Sequence, residues 1–195
     1  MVEIAAFVED VAHQSFLDAL LRRMSVDFDV AIHTDWRNTR RGHGAVLREL
    51  REFMRDLPRY RAVPPDLVLV ATDANCKGLR ERRRHIGEYT QDFALPTICA
   101  IPDPHIERWL LLDSAAFKQV FGRGCDAPDC KCERDRYKKM LADAIKATGI
   151  SPSLGGVEFA EDIVLAMDLD RVATLDTSLG TLIEELRGVF RAWST

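Results

Sequence analysis

The sequence predicts an α/β protein: a parallel sheet of about four strands with helices on both faces, followed by a helical C-terminal half. Three observations carry this. Apolar strand runs alternate with amphipathic helical stretches through the first hundred residues. The run Leu67-Val68-Leu69-Val70-Ala71 is apolar at every position, as a central parallel strand buried on both faces requires. Beyond Leu112 the periodicity is helical only.

The first strand covers 3–9. Phe16, Leu17, Leu20, Leu21 and Met24 then form one face of a helix. A second strand is expected over 28–34, followed by a polar, basic loop. The next helix carries Val46, Leu47, Leu50, Phe53, Met54 and Leu57 on one stripe and stops at Pro58. Pro64-Pro65 lead into the strand 67–72, a charged helix covers roughly 78–91, and Pro96 opens the strand Thr97 to Ile101. Alternation of this kind implies right-handed crossovers between parallel strands. Ile106 to Leu112 reads as a short, very apolar helix, and Asp113 or Ser114 can cap another that ends at Gly122. Further helices are expected over Tyr137 to Ala147, over Glu158 to Leu169, and through Leu182, Ile183, Leu186, Val189, Phe190 and Trp193. This divides the chain into an α/β domain, 1–113, and a helical extension, 114–195, packed on it.

The 195 residues can bury a full core, and 47% apolar with 30% charged residues is ordinary for a globular protein. With a net charge of −4, nothing global demands nucleic acid, yet basic residues concentrate in Arg37 to Arg61, Lys77 to Arg84 and Lys131 to Lys146. The sequence contains no apolar run long enough for a membrane span and no leader pattern at its start, so a cytoplasmic protein is expected. Five cysteines, two in or beside strands, fit reduced thiols better than a disulfide framework.

Function is approached through acids that sit where strands run out. Glu9 and Asp10 follow the first strand, Asp35 closes the second, and Asp73 follows the third. Ligands of open α/β sheets bind outside the carboxyl ends of the strands. Carboxylates gathered there repel one another unless a cation neutralises them. Glu9 with Asp73-Ala74-Asn75 therefore suggests Mg²⁺, a hard ion that takes one or two carboxylates and keeps several waters. The plainer alternative is helix capping by Asp10 and Asp73.

The segment Pro102-Asp103-Pro104-His105-Ile106-Glu107-Arg108-Trp109-Leu110-Leu111 turns tightly out of the fourth strand, bringing Asp103, His105 and Glu107 to the same edge. Glu107 can ligate metal, orient His105, or favour a helix N-terminus. His13, four residues after Glu9, is a supporting candidate, as is Lys77. Cys125-x4-Cys130-x-Cys132 offers only three local ligands, which argues against structural zinc.

At these residues the chain resembles Toprim-fold proteins, the domain shared by topoisomerases, primases and the OLD-family nucleases. That pattern has a Glu after the first strand and an Asp-x-Asp after the third, with Mg²⁺ between them. Glu9 matches the first acid, Asp73 the second, and Asn75 stands where the third would be. Glu107-Arg108-Trp109-Leu110-Leu111 and Lys131-Cys132-Glu133-Arg134-Asp135-Arg136-Tyr137-Lys138 resemble segments of small stand-alone Toprim-like bacterial proteins, several of them linked to phage defence. Two departures stand out: neutral Asn75, and the absence of Gly after Glu9.

The resemblance implies a Mg²⁺- or Mn²⁺-dependent nuclease or related phosphotransfer enzyme acting on nucleic acid. Glu9 would be ligand or general base, Asp73 and Asn75 would hold the metal, and Glu107 would complete the shell. Asp10, His13, Asp35, Lys77, Asp103 and His105 would support the site or the substrate. Rival expectations are a noncatalytic module that binds nucleic acid or a partner ATPase, and a small-molecule phosphate enzyme. The last is disfavoured because no Gly-rich phosphate loop follows any strand.

Overall fold

The computed structural model describes residues 1–39, 42–57, 63–129, 133 and 135–194. Four strands, β1 (Val2–Val8), β2 (Ile32–Asn38), β3 (Leu67–Ala71) and β4 (Thr97–Ala100), form one parallel sheet in the order β2-β1-β3-β4. The expected fold class is the observed one. Helices α1 (Val11–Asp27), α2 (His43–Asp56) and α3 (Leu79–Thr90) make the crossovers. After β4 come α4 (Ile106–Leu111), α5 (Ser114–Phe121), α6 (Arg136–Lys146), a 3-10 turn (Val157–Phe159), α7 (Ala160–Ala166), α8 (Leu169–Leu175) and α9 (Thr177–Trp193).

Every residue of β3 is buried, because β1 and β4 pair with it on either side and helices cover both faces. One face packs Phe7, Val68 and Val70 against Val46, Leu50 and Met54 of α2 and Ile86 of α3. The other packs Ile4, Leu67 and Leu69 against α1, then continues through Trp109, Phe117, Tyr137, Ile163 and Leu186. The α/β part and the helical part thus share a core.

Two elements differ from expectation. β2 begins at Ile32 rather than 28, because α1 runs to Asp27 and Val30 folds back on it: Val30 N donates to Ser25 O at 3.0 Å, and Ser25 Oγ donates to Val30 O at 2.7 Å. β2 is an edge strand whose polar residues alternate outward, so its apolar entry misplaced the register. The helix expected over Glu158 to Leu169 is broken at Met167, whose ψ is 135°, and restarts as α8 behind the Asp168 cap. The buried Asp113 carboxylate fixes the restart. It caps α5 through Ala115 N and Ala116 N at 3.0 Å each, accepts from Asp168 N at 2.8 Å, and pairs with Arg171. Such a link spans 55 residues and leaves no trace in periodicity.

α8 and α9 touch so closely that a Cβ at Gly180 would collide with the Ala173 carbonyl oxygen. Gly180→Ala is expected to destabilise the protein by about 1–3 kcal/mol, an overpacking cost readable in a urea melt.

The loop before the 3-10 turn is pinned by Glu158, which accepts from Leu154 N at 3.0 Å and Gly156 N at 2.9 Å, and from both the amide and the hydroxyl of Ser153. Burial works against this carboxylate, but the converging amides hold it at about 2, below its ordinary 4.5. A depressed folded-state value stabilises above the unfolded value and ceases to do so as pH falls through the folded one. Glu158→Gln is therefore expected to lower Tm at pH 7, with the gap to wild type closing as pH falls from about 4.5 to about 2.

Candidate functional site

Register places Val8, Ala71 and Ala100 in one row at the carboxyl edge of the sheet. Glu9-Asp10 and Thr72-Asp73 therefore leave the sheet side by side. The chain leaves β4 through Pro102-Asp103-Pro104, and this turn is stitched to the β3 exit: Ala74 N donates to Pro102 O at 2.8 Å and Asn75 N to Pro104 O at 3.0 Å. That stitching brings His105 and Glu107 over Asp73.

Asp73 is the hub. Its Oδ2 lies 2.9 Å from His105 Nδ1, and its Oδ1 accepts from Ile106 N at 3.0 Å. Fully buried His13 reaches it as well: Nε2 stands 3.2 Å from Asp73 Oδ1, an ion-pair contact rather than an aligned hydrogen bond. His13 Nδ1 lies 2.9 Å from Asp10 Oδ1, and Asp10 caps α1 by accepting from His13 N at 3.1 Å. Burial pushes the His13 imidazole toward neutrality, but the flanking Asp73 and Asp10 charges overcome it and hold His13 well above its ordinary range. Asp73 is correspondingly held low: burial opposes its charge, and His13 and His105 more than offset that. His105 is raised by its hydrogen bond to Asp73.

Asp10, Asp73, Asn75, His105 and Glu107 line one cleft of about 230 Å³, together with Asp135, Tyr137 and Lys138 from the start of α6. Burial pushes the Glu107 carboxyl up, and the charges of Asp73 and Asp10 push it further. Asn75 adopts a left-handed φ of 51° and spends its Nδ2 on Asp73 O at 3.4 Å, which leaves Oδ1 as its acceptor.

Glu9 faces the neighbouring side of the same edge. Its Oε2 accepts from Thr72 Oγ1 at 2.5 Å and from Asp73 N at 3.3 Å. Thr72 Oγ1 also lies 3.1 Å from His43 Nδ1 at the start of α2. The single hydroxyl proton goes to Glu9, so His43 Nδ1 is the donor and its Nε2 carries the lone pair. Nε2 is buried without a hydrogen-bond partner among the described residues. Burial, with Arg82 and His85 nearby, lowers His43 to about 4 and keeps it neutral. Thr72 and His43 carry no spacing signal in the sequence, one standing in an apolar run and the other beside Gly42. Lys138 closes the Lys131 to Lys138 stretch on which the resemblance rests, without a site role attached to it there.

Other expected site residues lie elsewhere. Asp35 stands in mid-strand opposite Ala5 and pairs with Arg37 at 3.3 Å, because the shifted register moves it below the edge. Lys77 is exposed, 4.0 Å from Glu81. Asp103 lines a separate cavity of about 180 Å³ with Arg108 and Asp176. In the basic α3, Arg82 Nε donates to Asp73 O at 3.1 Å and Arg83 pairs with Glu185 of α9 at 2.7 Å.

Cysteine usage departs from the expected set of reduced thiols. Cys99 and Cys125 are free and buried, and burial raises them to about 11 and about 12. Cys76, by contrast, is disulfide-bonded. Cys130 and Cys132, weighed above as zinc ligands, lie outside the described residues.

The donor chemistry of the cleft suits a hard divalent ion. Carboxylate and amide oxygens of Asp10, Asp73, Asn75 and Glu107 share a recess in which Glu107 is electrostatically strained. As the side chains stand, no group of three or more His, Cys, Asp or Glu among the described residues could hold an ion. Both Asp73 oxygens are already engaged by His105, Ile106 N and His13. Asp10 Oδ1 is engaged as well, by His13 N and Nδ1, so an ion in this cleft would need its side chains to rearrange.

Residues 8–187 match the family described as a domain of unknown function (DUF4276), and the chain belongs to that family. Comparison with curated proteins and with solved structures found no match. No helix among the described residues is long and apolar enough to cross a membrane.

Proposed function

We propose that the protein is a Mg²⁺-dependent, Toprim-like phosphodiesterase acting on nucleic acid. One observation carries the reading: Asp10, Asp73, Asn75 and Glu107 converge on a single cleft at the carboxyl edge of a parallel sheet, where burial and then the Asp73 and Asp10 charges push the Glu107 carboxyl up. Asp10, Asn75 and Glu107 would hold the ion, with Asp73 beside them. When bound, such an ion supplies charge stabilisation at a phosphoryl oxygen.

The chain's own groups supply the rest. Asp73 fixes the His105 ring through Nδ1, so the ring stays at the cleft wall. Buried His13 offsets the charges of Asp10 and Asp73, which keeps three acids compatible with one recess. Lys138 lines the cleft from α6 and is the basic group placed to meet a phosphate. A part in phage defence extends this reading, and a partner ATPase belongs to the rival reading of a noncatalytic binding module.

The test is cleavage of plasmid DNA and of RNA by purified protein with Mg²⁺ or Mn²⁺, against an EDTA control, with Mn²⁺ binding followed by electron paramagnetic resonance. Metal-dependent cutting is expected. Glu107→Gln should weaken both cutting and Mn²⁺ binding by about tenfold or more. Metal-independent behaviour of wild type and variant alike would transfer the cleft to the noncatalytic binding role.

A further inference from the structure

A second cavity, about 520 Å³, opens directly beside the acidic cleft and shares Asp10, Glu107 and Lys138 with it. Its character is different. Val11, Ala12, Leu154 and Val157 give it an apolar floor, and its size falls within the usual range of small-molecule sites, about 300–1,000 Å³. Leu154 is 59% exposed and Val11 39% exposed. Apolar groups are thus offered to water at the mouth of a charged cleft.

The shelf is held open rather than loosely draped. Glu158 fixes the backbone of Ser153, Leu154 and Gly156, so Leu154 is presented on a pinned loop. Gly155 has a φ of +73°, and a Cβ there would stand 3.7 Å from Lys138 Cε. The lysine stem therefore runs along the glycine, and Lys138 lines both cavities at their seam. Asp10, Asp73 and Glu107 line the same cleft, yet Lys138 forms no ion pair with any of them among the described residues. A cation without an ion pair among the described residues, set between an acidic recess and an apolar shelf, matches a ligand with an anionic centre and an apolar body.

We propose that this cavity is the subsite for an unpaired nucleoside flanking the scissile phosphate. The base would lie on Leu154 and Val11, and Lys138 would contact the adjoining phosphate. The inference rests on reading the acidic cleft as a phosphodiester-cleaving centre, and it narrows the substrate to single-stranded or locally unpaired nucleic acid. A base packed on a shelf needs that face clear of a duplex stack, which a base inside a duplex cannot offer.

The experiment measures affinity without turnover. Fluorescein-labelled hexathymidylate and hexauridylate, and a hexamer of abasic deoxyribose phosphates, are titrated with full-length protein. Anisotropy is read in EDTA and again with Ca²⁺. Wild type should bind the base-bearing probes about tenfold more tightly than the abasic one. Leu154→Asn, at an exposed position, should erase that preference while changing abasic affinity by less than about twofold. Lys138→Gln should weaken all probes alike and lower the salt slope by about one contact.

Equal binding of base-bearing and abasic probes by wild type, or no binding of any, overturns the proposal. So does a Leu154→Asn effect that is the same on all probes. A concentration-dependent mass in light scattering that Leu154→Asn abolishes would assign the shelf to a second copy of the chain instead. The two readings fail separately. Base preference without metal-dependent cutting leaves the subsite standing and removes the nuclease, whereas cutting without base preference does the reverse.

Discussion

Asp73→Asn is expected to reduce metal-dependent cleavage by about a hundredfold or more while the circular dichroism spectrum stays native. The side chain keeps its shape but loses its charge, and three partners feel the change. His105 loses the carboxylate that fixes its Nδ1, Ile106 N keeps only a neutral acceptor, and buried His13 loses one of the two carboxylates it contacts, keeping Asp10. His13 should then titrate nearer neutrality, visible as a lowered imidazole pKa by NMR. Asp73→Ala is the worse probe, because it also opens a hole beside a buried imidazolium. Retention of wild-type turnover in Asp73→Asn would show that the hub orders the fold and takes no part in chemistry.

Trp109→Ala is expected to give the largest loss of stability, about 3–5 kcal/mol, read as a shift in the denaturant midpoint. The indole is fully buried, packs on Phe16 at 5.3 Å between ring centroids, and donates from Nε1 to Ser178 Oγ at 3.1 Å. Removing it leaves a cavity under α1 and α9 and takes a donor from Ser178, which itself bonds Asp176 and Asp103 N. The Trp-Leu-Leu segment, used above as a family mark, is thus a packing device. It seats α4 so that Glu107 and His105, just ahead of it, face the cleft. A Trp109→Phe variant should recover most of the loss, since the missing hydrogen bond is worth only about 1 kcal/mol.

Much of the frame was legible from sequence because it rests on local signals. The uninterrupted apolar run of β3, the acids at strand ends and the Asp113 cap each follow from composition within a few residues. From those signals alone Asp73, Asn75, Glu107, Asp10, His13 and His105 could be proposed as neighbours, and the structure brings them together. What escaped depends on contacts between distant segments. Asp35 stands in mid-strand rather than at the edge because the apolar stretch Val30-Ala31-Ile32 lies partly outside β2. Glu9 is expected to share a metal ion with Asp73, whereas its carboxylate accepts from Thr72 Oγ1 and the Asp73 amide. His13, a supporting candidate in the sequence, stands buried between Asp10 and Asp73 and offsets their charge. No periodicity announces a buried imidazole with carboxylates on two sides.

The Asp113 carboxylate has a consequence for how the chain can be handled. Asp113 bonds the starts of α5 and α8, both of which a cut after residue 113 would separate from it, and Arg83 with Glu185 ties α3 to α9 across the same point. A fragment ending there would expose the α1 face now covered by α7 and α9 and lose the bonds anchoring its own last turn. Folding and cleft geometry are therefore inherited as one unit. Repacking α7 or α9 bears on the core face of α1, the helix whose first turn carries His13 to the acids at the sheet edge.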